Sequence, residues 1–71
     1  MLAKEKRKLR EIVNDLKLKE DNAFSQMRFL SQHKFEFEHA AMKLEYEAYR
    51  DARLKIEWFL DDIEKEEKND V

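Results

Sequence analysis

None of the 71 residues is glycine or proline, and that absence restricts the fold more than any motif in the chain. Glycine supplies the positive φ that tight turns need, and proline punctuates strands and loops. Without either, a β-rich fold has little from which to build its turns. A Rossmann fingerprint, a phosphate-binding P-loop and a glycine-shaped oxyanion loop each require glycine, so all three are excluded. The expected class is all-α, with long helices.

The first half has a clear helical period. Leu2, Leu9, Ile12, Val13, Leu16, Ala23, Phe24, Met27 and Leu30 fall on one stripe at about 100° per residue. That predicts a first helix over about 2–30, with Asp21 and Asn22 facing solvent inside it. The second half, from Phe35 to Ile63, carries more apolar surface than one helix face holds. Phe35, Met42, Tyr46, Tyr49, Ile56, Leu60 and Ile63 line one broad side, whereas Phe37, Ala40, Leu44, Leu54 and Trp58 point away from it. Such a helix needs two neighbours, and a chain of this length supplies one.

Between the halves, Ser31-Gln32-His33-Lys34 is the most polar gap and has a length usual for a helix–helix connection. Ser31 is a candidate N-cap for a second helix over about 34–67, with residues 68–71 fraying. A single uninterrupted helix is the rival, at about 95 Å. A two-stranded coiled coil of that length should keep one heptad seam. Leu9, Leu16, Ala23, Leu30, Phe37 and Leu44 hold the register, but Asp51 breaks it. The hairpin is therefore the favoured architecture. Charge agrees with an antiparallel arrangement. Lys4, Lys6, Arg7, Lys8 and Arg10 crowd the start, and Asp61, Asp62, Glu64, Glu66, Glu67 and Asp70 crowd the end. Each cluster sits at the wrong end of its helix for the dipole, and antiparallel packing sets the two side by side. Antiparallel pairing of long helices would do the same.

Few residues invite chemistry. With no cysteine there is no disulfide and no thiolate metal site. Two serines, no threonine and no glycine give no nucleophilic constellation, and carboxylates spaced two apart leave a helix on different sides. No catalytic residue and no cofactor is expected. Glu36 and His39 have the Glu-x-x-His spacing used by di-iron helical bundles, but the helix-1 acids nearest to them, Glu20 and Asp21, lie more than a turn away. They are the only metal candidates, and a metal site is not expected. The basic run Lys4, Lys6, Arg7, Lys8 and Arg10 is a candidate contact for nucleic acid, set against a net charge of −2 and no accompanying DNA- or RNA-binding motif. Glu11, Asp15, Glu20 and Asp21 oppose binding to an anionic membrane surface. No apolar run approaches the ~20 residues of a membrane span, and Met1-Leu2 leads directly into charge rather than a signal core, so a cytoplasmic location is expected.

The sequence thus predicts one helical domain over 1–71: an antiparallel hairpin of two long helices, pairing with a second copy into a four-helix bundle or coiled-coil-like assembly. Phe24, Met27, Leu30, Phe35, Met42, Tyr49, Ile56, Phe59 and Ile63 are its expected inner layers. Phe37, Leu44, Leu54 and Trp58 form the expected self-association or partner face, because tryptophan is the residue most enriched at binding hot spots. The expected role is non-enzymatic: a small interaction or regulatory protein working through a helix face, as a homo-oligomer or with a foreign partner. Nucleic-acid association is the alternative.

Overall fold

A computed structural model describes residues 1–69. The chain forms two helices, α1 (Ala3–Gln32) and α2 (Glu36–Asn69), folded back on each other as a hairpin. At 1.5 Å per residue they are about 45 and 51 Å long, which accounts for the 56 × 17 × 13 Å shape. The radius of gyration, 16.3 Å, exceeds the roughly 11 Å of a compact domain of this length. The expectation that residues 68–71 fray falls partly outside the described residues; Lys68 and Asn69 belong to α2.

The two inward faces obey one rule. On α1 the inward positions are Lys6, Leu9, Val13, Leu16, Glu20, Ala23, Met27 and Leu30, at intervals of three and four. On α2 they are His39, Met42, Tyr46, Tyr49, Arg53, Ile56, Leu60 and Ile63, again at three and four. This spacing averages 3.5 residues and keeps a narrow seam of each helix facing its neighbour. Val13, Ala23 and Leu60 are buried there. With only one layer of side chains between two helices, most other seam residues stay half-buried.

The inner layers differ from the sequence-based expectation at three aromatics. Phe24, Phe35 and Phe59 are about half exposed. Phe24 and Phe59 are the sequence neighbours of the seam positions Ala23 and Leu60, so they flank the interface instead of filling it. The Phe24 ring leans on Tyr46, with centroids 6.0 Å apart. Phe35 lies outside both helices, in the turn.

That turn explains how the chain reverses without glycine. Lys34 adopts φ 61°, the left-handed conformation that glycine occupies at helix ends. The Lys34 N–H donates to the Ser31 carbonyl at 3.2 Å and the Phe35 N–H donates to the Leu30 carbonyl at 3.0 Å. These two bonds are the Schellman pattern, with lysine in glycine's place. His33 sits against Phe29 with the rings tilted by 42° and their centroids 4.3 Å apart, and lies 6.5 Å from Phe35. The Phe35 carbonyl then accepts the His39 N–H at 2.9 Å and opens α2, whose first turn carries Glu36 and Glu38 at the dipole's positive end. The connection is 33–35 rather than 31–34, and Ser31 is a late residue of α1, not the N-cap of α2. The physical reason is that the Schellman bonds draw Ser31 and Gln32 into α1.

The phase of the seams tells against an uninterrupted helix. Beyond Leu30 the α1 seam would continue through Lys34, Phe37, Ala41 and Leu44. The α2 seam lies five residues further on, a rotation of roughly 140° at 100° per residue. One straight helix cannot turn both seams toward one neighbour. The heptad row through Leu9, Leu16, Ala23 and Leu30 is therefore inside the hairpin, while its continuation through Phe37, Leu44, Asp51 and Trp58 is outside. Among the described residues no helix is long and apolar enough to cross a membrane.

Candidate interaction surface and the ion pairs that frame it

Hairpin formation leaves the back of α2 uncovered. Phe37 is 84% exposed, Leu44 69% and Trp58 60%. Being seven or fourteen residues apart, they lie on one line along the helix. Ala41 and Ala48 add small apolar positions beside it, and Leu54, half-buried, borders it. Asp51 interrupts the row but is paired with Lys55 at 2.9 Å. A shallow groove at the middle is lined by Leu44, Glu47, Ala48, Arg50, Asp51 and Leu54. The back of α1 is different: Lys4, Glu11, Ser25 and Gln32 share its outer row with Leu18, and the exposed Phe29 beside that row sits against His33. The unpartnered apolar face thus belongs to α2.

Chemistry on the seam itself comes from two charged residues that the apolar pattern does not place there. Glu20 and Arg53 occupy seam positions near the middle of α1 and α2. Their side chains are 7% and 19% exposed. The guanidinium grips Glu20 with two donors: Nε to one oxygen, and Nη2 to Oε1 at 3.1 Å. Its third nitrogen, Nη1, donates to Glu57 Oε2 at 2.8 Å, and Lys17 reaches the other oxygen of Glu57 at 3.5 Å. These hydrogen bonds, those that Glu20 accepts first, raise the Arg53 pKa above its ordinary value. No buried side-chain polar atom among the described residues lacks a partner. Glu20 was counted among the surface acids because a charge in an apolar stripe reads as a gap. The available signal is that the middle of each seam carries one charge, of opposite sign on the two helices.

At the open end of the hairpin the two charge clusters meet. Lys6 pairs with Glu67 and Arg10 with Glu64, and the N-terminal amine lies 3.7 Å from Glu67. The hydrogen bond from Lys6, followed by its charge and that of the terminal amine, lowers the Glu67 pKa below the usual carboxylate value. Of the five basic candidates for nucleic acid, Lys6 and Arg10 are therefore engaged by acids. Lys4, Arg7 and Lys8 are exposed and form no ion pair among the described residues.

Elsewhere, Tyr49 donates to Glu45 at 2.8 Å, and that bond raises its pKa above the ordinary value. Glu36 and His39 line one depression beside the turn, together with Lys34, Leu30, Ser31 and Phe35. A lysine in that set disfavours a cation, and among the described residues no three of His, Cys, Asp and Glu gather as a metal would require. Phe29, which no sequence pattern singled out, is exposed and serves as the platform for His33.

No known protein family, curated protein or solved structure matches the chain significantly. The class is thus defined by fold and surface alone: a two-helix antiparallel hairpin with an uncovered apolar face on α2.

Proposed function

We propose that this protein is a non-enzymatic interaction module that acts through the outer face of α2, with Phe37, Leu44, Leu54 and Trp58 as its contacts. The observation that carries this reading is the exposure of Phe37, Leu44 and Trp58 in one row on the side of α2 away from α1. Exposed large aromatics scattered singly are ordinary, but an aligned row rimmed by charge marks a binding surface. Packing there would be of the helix-in-groove or coiled-coil kind, read at intervals of three and four. A cytoplasmic regulatory role fits the same surface and the absence of cysteine.

The nucleic-acid reading has less behind it, since two of its five cations already have carboxylate partners. Contact would fall to Lys4, Arg7 and Lys8.

The test is the variant Leu44→Lys/Trp58→Lys. A surface role predicts hairpin stability within about 0.5 kcal/mol of the parent, together with loss of association. Destabilisation by more than about 2 kcal/mol in the monomer would mean that the face is core, and the proposal would fail.

A further inference from the structure

We infer that the occupant of α2's outer face is a second copy of this chain, packed antiparallel across a two-fold axis passing between Glu47 and Ala48. The inference rests on the interaction-face reading above and names its partner.

Area is the first argument. The chain exposes 5863 Å², whereas a folded monomer of its mass, 8.7 kDa, exposes about 4,700 Å². The excess, on the order of 1,100 Å², exceeds the ~800 Å² per partner of a standard interface. A second copy burying a standard ~800 Å² per partner would cover most of that excess.

Symmetry is the second. A two-fold interface requires a patch complementary to itself. Phe37 and Trp58 stand at equal distances, about 16 Å along the helix, on either side of the Glu47–Ala48 midpoint. An axis there lays Phe37 of each copy over Trp58 of the other, and Leu44 of each over Asp51, which carries Lys55 as its ion-pair partner. Alanine at the centre, Ala48, lets the two backbones approach.

Charge is the third. The groove at the midpoint carries Glu47 and Arg50, and the same rotation, which sets Arg50 of one copy level with Glu45 of the other, leaves the other copy's Glu47 about 3 Å away along the helix axis and on the same side, twice. Asp51 enters the interface already neutralised by Lys55. A net charge of −2 per chain opposes association only weakly.

The experiment is sedimentation equilibrium over a concentration series for the full chain and four variants, each with its unfolding curve as a check on folding. The parent protein should dimerise, and Trp58→Ala should weaken the dimer at least thirty-fold. Glu47→Arg and Arg50→Glu should each weaken it at least ten-fold, because each sets like charges face to face. An equimolar mixture of those two variants should regain parental affinity as a heterodimer, since both Arg–Glu pairs then re-form. Failure of either reversal to weaken the dimer, or of the mixture to recover, overturns the proposed axis. A monomer at every concentration overturns the second copy but leaves the face open to a foreign helix. A dimer unaffected by the fourth variant, Phe37→Asp/Trp58→Asp, overturns both this inference and the interaction-face reading, since association then uses another surface.

Discussion

Removing one partner of the Glu20–Arg53 pair is the perturbation whose consequences the hairpin fixes most tightly. In Glu20→Met, Arg53 loses two charge-assisted hydrogen bonds, each worth about 1.5–3 kcal/mol. It keeps Glu57 and some contact with water, so the expected loss is about 2 kcal/mol, below the ~3–5 kcal/mol for breaking a wholly buried pair. Arg53→Met should cost more, about 3 kcal/mol, because the Glu20 carboxylate is left with nothing to replace the guanidinium. The double variant Glu20→Met/Arg53→Met fills both seam positions with apolar side chains. It should come within about 1 kcal/mol of the parent or exceed it, since well-packed apolar groups match or outdo buried ion pairs. Urea denaturation followed by helical circular dichroism reads all four proteins, at one concentration because self-association would shift the midpoints. Thermal midpoints should fall by about 10 °C for Glu20→Met. Singles within about 0.5 kcal/mol of the parent would refute the reasoning, as would a double variant equal to their sum near 5 kcal/mol.

Two further outcomes follow from the turn and the open end. Lys34→Gly should stabilise the hairpin by about 0.5–1 kcal/mol, since the left-handed conformation costs an L-residue ~1–2 kcal/mol and glycine returns part of that as entropy; a stability loss in urea denaturation would contradict the Schellman assignment. Glu67 has a folded pKa below its unfolded value near 4.5, so its contribution is present above that value and is lost as pH falls through the folded one. In Lys6→Ala the stability-against-pH profile should be flatter below pH ~4.5, and an unchanged slope in urea midpoints across acid pH would rule out the Lys6–Glu67 pairing as its source.

Much of this architecture is legible in the residues, and the parts that are not have identifiable causes. Missing glycine and proline, together with the helical period from Leu2 to Leu30, lead to two helices, and the opposed charge clusters lead to antiparallel order. The turn was harder to place. Its signal is neither a cap nor a glycine but the shift of phase between the seam ending at Leu30 and the seam starting at His39. Ser31, a good N-cap residue, lies four residues ahead of Phe35, whose carbonyl opens α2, because local propensity yields to the backbone bonds around Lys34. The aromatics Phe24 and Phe59 were assigned to the interior because a broad apolar stripe includes flanking positions, whereas two helices alone bury only a narrow seam. Glu20 and Arg53 escape sequence inspection for the converse reason: an apolar pattern marks the interior, and a matched pair of opposite charges does not show in it. The outer row was legible because Phe37, Leu44 and Trp58 fall a whole number of heptads apart.

The seam, the Glu20–Arg53 pair and the outer face of α2 all depend on the chain folding back at residues 33–35. The absence of native cysteine permits a direct check: spin labels on Lys4→Cys and Lys65→Cys, diluted with unlabelled protein so that only distances within one chain register. The hairpin predicts a label separation of about 20 Å, two helix diameters. An uninterrupted helix would place the labels about 90 Å apart, and that result would contradict the hairpin, its seam and the outer face of α2 together.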